Sequence, residues 1–403
     1  MTIGNGKGAP PTFEEARNKR QKVRAAGMDP NHWYAVEHSD ALGRGEVMQA
    51  VFWHMAVAVY RDHLGQVHAV EDRCAHRQLE LSLGSVEEDR LVCPYHGGKY
   101  DGRGHLKEVQ HELFGRDLPK CKLQSFSTRE RYGLIWVFFG DEDRAFSTPM
   151  PEIPELEGDD RWACVPISFT CQAHHSMILD NVSDFTHAYL HRKYKPFWDA
   201  KLTGLEVDGD KVFVSYDTPI GGGGVAAHFV DRASVDTSAI ELCYDYPYQR
   251  SNTDGQIKHW LSVLPIDERT TRMFFLFYFK SFRVPFTPFR FPKRLMNTVV
   301  KVANKVQIGP LLEEDVMACE AEQRGYERHW DKPIAELNPA VHAFQDLTIR
   351  KWEEYLEQQK TRRGKRRTDS PISLGKKPSV PSSPTTSSFS ASSTTSVVEP
   401  SAP

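Results

Sequence analysis

Two short segments combine one cysteine with one histidine in the same order. Cys74-Ala75-His76 is followed, after sixteen residues, by Cys93-Pro94-Tyr95-His96. Each segment offers a thiolate and an imidazole, so two facing loops can enclose a metal centre. Two Cys and two His suit zinc, but zinc fingers pair their cysteines together and their histidines together. The alternating order is that of an iron–sulfur cluster that takes one Cys and one His from each loop.

A second group of polar residues lies in the segment Met177–His191, whose apolar residues recur at helical spacing. Two histidines four residues apart on a helix can bind one metal ion. A carboxylate would complete a facial triad for Fe(II). The residues that would share one face of this helix, about 120° wide, are Asn181, Asp184, His187 and His191.

With both motifs, the sequence resembles the Rieske non-haem iron oxygenases over residues 33–355. The resemblance is most specific in Arg73–Arg77 and Cys93–Gly97. It departs from the family pattern at Ala75, where proline is usual, and at Gly98, where tryptophan is usual. Neither position is a ligand. The ligands of the [2Fe-2S] cluster that the resemblance implies are Cys74, His76, Cys93 and His96.

The resemblance also implies the ligands of a mononuclear Fe(II). The family motif N-x-x-D-x-x-H-x4-H matches residues 181–191, with three residues between the histidines instead of four. Its late carboxylate corresponds to Asp315, with Glu313 and Glu314 as close alternatives. Taken alone, the acidic run 313–322 is typical of a solvated helix face. The implied iron ligands are His187, His191 and Asp315.

A further implication of the resemblance concerns the aspartate of this motif. Asp184 would hydrogen-bond His187 and accept a hydrogen bond from the partner subunit's His96, bridging the two metals across subunits. A carboxylate in this position orients an imidazole ligand and raises its basicity. Asn181 would lie just outside the iron ligands. The implied assembly is a head-to-tail homotrimer, since the two metals of one chain would be too far apart to exchange electrons.

The elements that must position the first motif are strands. Short alternating segments broken by turns predict an all-β domain over 33–147, including one strand over Gln49–Tyr60. Before it, a capping box at Thr12 and Glu15 predicts a short helix within an N-terminal arm, residues 1–32. The resemblance makes the all-β part a Rieske domain.

The second motif lies in a region of mixed strands and helices. A Pro-rich acidic linker begins at Thr148, and the region 148–360 is predicted to be a catalytic domain with an antiparallel sheet. The resemblance implies a helix-grip-like fold for it, and the whole chain is predicted to be α+β. Residues 361–403 are basic and rich in Ser, Thr and Pro, which predicts a disordered tail.

Composition excludes several classes of protein. The 403 residues carry 51 Lys+Arg and 54 Asp+Glu, so no basic field suggests nucleic-acid binding. Seven cysteines spread over a long chain fit a reducing compartment, and apolar runs are too short to span a membrane. A basic amphipathic stretch at 293–306 fits an acidic electron donor or a cavity cover better than a membrane. A cytoplasmic protein is expected.

The function implied is that of a terminal oxygenase. The chain has no flavin or dinucleotide motif, so NAD(P)H electrons would come from a separate reductase, with or without a ferredoxin. With O2 they would serve to hydroxylate or demethylate an apolar or aromatic substrate. The chain length favours homo-oligomeric monooxygenases over α subunits of ring-dihydroxylating dioxygenases. A Rieske electron carrier with a degenerate catalytic domain is the other alternative.

Overall fold

The computed structural model describes residues 8–109, 121–158, 161–193, 196–219, 238–281 and 291–368. Met1–Glu357 form one compact unit and Gln358–Pro403 a second. The second unit is described only as far as Thr368, where the last helix ends. This helix continues past the boundary predicted at 360, and residues 369–403 of the predicted tail lie outside the described residues. The predicted boundary at 147/148 stays a prediction.

The N-terminal part of the described chain consists mainly of antiparallel strands. Their bounds are β1 (Trp33–His38), β2 (Val47–Phe52), β3 (Met55–Arg61), β4 (Val67–Glu71), β5 (Ser85–Glu87), β6 (Arg90–Val92), β7 (Lys99–Tyr100), β8 (Leu106–Glu108), β9 (Ser125–Arg131) and β10 (Leu134–Phe138). In the described residues they form a six-stranded sheet, β1-β10-β9-β4-β3-β2, and a small four-stranded sheet, β5-β6-β7-β8. The first Cys/His segment follows β4 of the six-stranded sheet and the second follows β6 of the small sheet, so the two sheets together position the metal-binding loops.

The segment predicted as one strand, Gln49–Tyr60, is a hairpin with a tight turn at Trp53-His54. Both turn residues have left-handed backbones, with φ of 43° and 68°. Their N–H groups donate to the carbonyls of Pro265 and Ile266 at 2.8 and 2.9 Å. The prediction was wrong because the apolar pattern continues through the turn, which is stabilised by a distant part of the chain rather than by local turn residues.

The C-terminal part contains a seven-stranded antiparallel sheet within the described residues. Its order is β11-β17-β16-β15-β14-β13-β12. The predicted α+β class and antiparallel sheet are confirmed. The strands are β11 (Trp162–Cys171), β12 (Lys201–Asp208), β13 (Lys211–Thr218), β14 (Ser238–Asp245), β15 (Tyr248–Thr253), β16 (Ile257–Pro265) and β17 (Thr271–Lys280).

Helices pack against this sheet and border the second motif. The helices of the described residues are α1 (Lys19–Val23), α2 (Glu142–Ala145), α3 (His175–Ser183), α4 (Lys293–Ala303), α5 (Gly309–His329) and α6 (Pro339–Thr368). A π-helical turn, Asn304–Ile308, joins α4 to α5. No helix among the described residues is long and apolar enough to cross a membrane. The predicted capping contact of Thr12 with Glu15 is present at 3.0 Å but closes only a turn, and α1 begins at Lys19.

The helix predicted over Met177–His191 ends at Ser183, so the shared helical face does not exist. Asp184 leaves the helix with φ −109° and ψ 101°. Its Oδ1 accepts hydrogen bonds from the N–H and hydroxyl of Thr186 at 2.8 and 2.6 Å. A short acidic side chain that bonds its own downstream backbone competes with helix formation. Residues beyond Asp184 continue as turns, and periodicity alone did not show this.

Arg24 ties the N-terminal arm to the two helices beside the second motif. Its guanidinium is 4% exposed and lies 2.6 Å from Asp180 on α3 and 2.7 Å from Glu322 on α5. It also donates to the hydroxyl of Ser176 at 2.7 Å. Removing one member of a buried ion pair costs several kcal/mol, so these contacts fix the spacing of α3 and α5.

Candidate metal centres

The two Cys/His segments form facing loops, one between β4 and β5 and the other between β6 and β7. Nδ1 of His76 lies 3.2 Å from Nδ1 of His96, and both imidazoles are at the surface end of the loops. The cysteines Cys74 and Cys93 are buried beneath them, 5% and 2% exposed. All four predicted donors therefore meet in one place. The pairing of two imidazoles on one side and two sulfurs on the other fits the two irons of a [2Fe-2S] cluster.

Hydrogen bonds on the sulfur side of this centre favour the thiolate form of the cysteines. Burial raises the pKa of the Cys93 thiol, while backbone N–H groups of Tyr95 and His96 act to lower it. The hydroxyl of Tyr100 lies 3.3 Å from Sγ of Cys74 and accepts the N–H of Ala75 at 2.9 Å. A metal-bound thiolate can only accept, so Tyr100 would donate its proton to that sulfur.

The second motif meets a carboxylate from α5. The donor atoms of His187, His191 and Asp315 all lie within 4.8 Å of one another. Nε2 of His187 is 3.5 Å and Nε2 of His191 is 3.2 Å from Oδ1 of Asp315. Two imidazoles and one carboxylate on one side of a site form the facial set that binds Fe(II) and leaves positions open. The structure thus brings together the three residues predicted as iron ligands.

Glu314, which was the alternative to Asp315 as an iron ligand, lies at a different position around His191. Its carboxylate lies 2.9 Å from Nδ1 of His191, on the far side of the ring from Asp315. Burial lowers the pKa of His191, but hydrogen bonds and the charges of Asp315 and Glu314 raise it overall. A carboxylate behind a ligand imidazole fixes its tautomer and orientation. Glu313 is exposed.

The environment of His187 is more apolar. Burial lowers its pKa against the charge of Asp315, which favours the neutral ring that a metal requires. Its ring centroid lies 5.3 Å from that of Phe197. Asn181 donates to Oδ1 of Asp315 at 3.2 Å, in the position just outside the triad that was predicted for it.

Asp184 makes different contacts from those expected. Among the described residues no hydrogen bond joins its side chain to His187, although the backbone and the charge of Asp184 both act to raise the pKa of that imidazole. Its Oδ1 instead accepts from Thr186 and from the amide of Asn338, the latter at 2.9 Å. That leaves Oδ2 without a hydrogen bond in the part of the chain described. Asn338 was not identified from the sequence, where an isolated asparagine carries no signal.

A cavity of about 230 Å³ opens onto the triad. Strands β14–β17 form its sheet wall, and α3, the following turns, the end of α4, the π-helical turn and α5 form its helix wall. Phenylalanine side chains of β17 provide much of its apolar lining. Representative lining residues are Phe185, Phe197, Phe275, Phe277, Ile308 and Leu311.

Polar residues of the sheet wall were not found by sequence reasoning. Ser251 and His259 lie opposite each other on β15 and β16 and both line the cavity. Gln249 lies beside them and is fully buried. The available signal was that Gln249 and Ser251 are polar residues at the buried positions of β15, whose burial alternates, whereas β16 with His259 shows no such alternation.

Comparison with family models supports both parts of the chain. Residues 32–115 match a model described as a Rieske [2Fe-2S] domain. Residues 171–359 match the vanillate O-demethylase oxygenase C-terminal domain. The two matches contain the cluster segments and the triad, respectively.

Individual relatives give the same picture. The chain is 46% identical to the 4beta-methylsterol monooxygenase of Methylococcus capsulatus, over 84% of this chain and 92% of that protein. It is 30% identical to the vanillate O-demethylase oxygenase subunit of a Pseudomonas species, over 46% of this chain and 52% of that protein. The crystal structure of dicamba monooxygenase bound to dicamba has a similar fold, with a TM-score of 0.65 and 21% identity. That match covers 83% of this chain and all of the other.

Proposed function

Because this chain belongs to the Rieske non-haem iron oxygenases, we propose that it is the terminal component of a monooxygenase that oxidises a methyl group of a methylsterol. The family membership, the oxygenase class and the two kinds of iron centre inferred from the motifs are confirmed. The substrate rests on the extensive similarity to a methylsterol monooxygenase. The structural observation that supports this proposed function is the apolar cavity that opens onto the triad.

The residues of the two centres have separate tasks. We assign Cys74, His76, Cys93 and His96 to the [2Fe-2S] cluster, and His187, His191 and Asp315 to the mononuclear iron. A non-haem iron held by such a triad supplies the capacity to activate O2. The protein keeps His191 oriented through Glu314 and keeps water from the substrate with the apolar cavity wall.

The overall reaction is R–CH3 + O2 + 2 e⁻ + 2 H⁺ → R–CH2OH + H2O. A separate reductase supplies the two electrons, and a ferredoxin as an intermediate carrier remains one form of this proposal. A location in the cytoplasm is proposed from the seven cysteines, which are all unpaired.

A homotrimer in which neighbouring subunits join the two centres is also proposed. Oδ2 of Asp184 is available to accept a hydrogen bond, while Oδ1 holds the local turn. Large aromatic side chains are exposed beside both ends of this connection: Tyr95 next to His96 is 54% exposed and Tyr189 is 82% exposed. Such exposed aromatic groups are typical of surfaces that a partner covers. The acceptor proposed for Asp184 is the partner subunit's His96.

The function is tested with purified oxygenase, a reductase, NADH and a 4-methylsterol under ¹⁸O2. We expect a hydroxymethyl product that contains one ¹⁸O atom, with the second atom in water. A product with two ¹⁸O atoms from one turnover would support a dioxygenase instead. Oxygen consumption that yields only peroxide from every methylsterol tried would contradict the proposed substrate.

The hydrogen bond from Tyr100 to Cys74 predicts a shift in the potential of the cluster. In Tyr100→Phe the oxidised cluster keeps its ligands, but its sulfur loses a donor that stabilises the more negative, reduced form. One hydrogen bond of about 1 kcal/mol corresponds to a decrease of roughly 40 mV for one electron. Redox titration followed by visible absorption measures this shift. Tyr60→Phe is the control, since its hydroxyl bonds the carbonyl of Asp89 and no cluster ligand.

A further inference from the structure

Ser251 and His259, which line the sheet wall of the cavity, form a hydrogen-bonded group with the fully buried Gln249. Ser251 on β15 and His259 on β16 are direct cross-strand partners, and Gln249 lies two residues before Ser251 on the same face. The rings of Phe275 and Phe277 surround His259, with centroids 5.8 and 5.2 Å away. Buried polar groups in such surroundings are costly unless they are hydrogen-bonded. Their hydrogen bonds therefore determine what the wall offers to a ligand.

The direction of each hydrogen bond in this group follows from Gln249. Its Nε2 donates to the carbonyl of Arg250 at 3.1 Å, which turns Oε1 toward His259. Oε1 can only accept, so Nε2 of His259, 2.8 Å away, carries the proton. Burial lowers the pKa of His259 to about 4, so the ring is neutral and Nδ1 has no proton. Although protein encloses His259, part of its surface faces the cavity.

The bare Nδ1 of His259 fixes the hydroxyl of Ser251. The two atoms are 2.7 Å apart, and only Ser251 has a proton to donate. With its proton donated to His259, Oγ of Ser251 keeps its two lone pairs as acceptors. The wall of the cavity at Ser251 thus presents a hydrogen-bond acceptor and no donor.

We propose that Ser251 is a specificity-determining residue that accepts a hydrogen bond from a hydroxyl group of an otherwise apolar substrate. The inference rests on the proposed function and deepens it, because a sterol carries one such hydroxyl. The oxygen of a ketone in the same place is also an acceptor. It and Oγ of Ser251 would therefore both remain without a hydrogen bond in an apolar wall. Gln249 and His259 act as positioning residues that keep the proton of Ser251 turned away from the substrate.

The test compares binding of a 4-methylsterol having a free 3-hydroxyl with binding of its 3-ketone. Calorimetry on the anaerobic holoenzyme without reductase measures both dissociation constants in the absence of turnover. We expect the alcohol to bind about tenfold more tightly than the ketone, because the ketone leaves buried groups unpaired. In Ser251→Val this ratio falls to about one. Valine is preferred over alanine, which would open Nδ1 of His259 as a replacement acceptor.

Thr253→Val is the matched comparison, since Thr253 is a second hydroxyl residue that lines the cavity from β15. It is expected to keep the preference for the alcohol. Loss of the preference in Thr253→Val but not in Ser251→Val would overturn the assignment, as would equal binding of both sterols by the unaltered protein. In either case, product formation from the methylsterol would leave the proposed function intact. Failure of both sterols to bind would overturn the substrate and this inference together.

Discussion

An Asp315→Ala variant is expected to lose its mononuclear iron and its oxygenase activity while its [2Fe-2S] cluster keeps its absorption spectrum. Oδ1 of Asp315 is the atom on which Nε2 of both histidines converge, and no other carboxylate lies in that position among the described residues. Without it, two histidines remain for a metal that prefers three protein ligands. Iron should fall from roughly three to roughly two atoms per chain. Activity should fall at least a hundredfold, since even outer partners of a ligand cost about 10–100-fold.

Two neighbouring carboxylates serve as controls for this result. Glu313→Gln should keep both iron and activity, because Glu313 is exposed on the same helix. Glu314→Gln should keep much of the iron but bind it more weakly, because Nδ1 of His191 loses a charged partner. Iron analysis together with the visible spectrum separates the three cases. Full iron content and activity in Asp315→Ala would contradict the triad. Unaltered protein with only about two iron atoms per chain and no oxygenation would favour the electron carrier with a degenerate catalytic domain.

The second prediction concerns Asp184→Asn, which should retain both iron centres yet lose coupled turnover. The new amide keeps an oxygen for the N–H of Thr186, so the turn that follows α3 is preserved. At the position of Oδ2, however, an acceptor becomes an NH2 donor. This donor would face the N–H of the partner subunit's His96 and remove the proposed link. We expect product formation to fall at least tenfold, by analogy with other partners of metal ligands.

The readout is the rate at which the chemically reduced cluster is reoxidised when substrate and O2 are added. Reduction of the cluster by its reductase should be unchanged, which separates the bridge from the docking of the electron donor. Asp199→Asn is the control, because the Asp199 side chain is 75% exposed. Normal coupled turnover in Asp184→Asn would refute the bridging role.

A mixing experiment tests the subunit arrangement directly. Asp315→Ala lacks the iron site and Cys93→Ser lacks the cluster, so each homo-oligomer should be inactive. Co-expressed subunits should regain part of the activity if a cluster serves the iron of the next subunit. No recovery in mixed oligomers, verified with two different affinity tags, would contradict transfer between subunits.

Prediction from the sequence succeeded where the residues that would bind a cofactor are close together in the chain. The order of Cys74, His76, Cys93 and His96 predicted the cluster because each loop provides its own pair of ligands at a fixed spacing. The structure places these donors together, and the family comparison confirms the cofactor. The alternating apolar pattern likewise predicted the all-β part and the antiparallel sheet, since residues on one strand face must share an environment.

Prediction from the sequence failed where an apolar pattern continues past the end of a helix or strand. The pattern over Met177–His191 remains periodic, yet Asp184 ends the helix by bonding to Thr186. His187 and His191 therefore meet through turns rather than along a helix face. The hairpin at Trp53-His54 was missed for a related reason, because carbonyls of a distant loop stabilise its backbone.

The sequence by itself determined which kinds of iron centre this protein holds, since ligand type and spacing are properties of short segments. Only the tertiary structure decided how the acidic residues divide their roles: Asp315 faces both histidines, Glu314 supports one from behind, and Glu313 faces outward. It also decided that Ser251 offers an acceptor to the cavity, through Gln249 and His259. The physical reason is that hydrogen-bond direction depends on partners from different strands and helices, whose meeting no local pattern records.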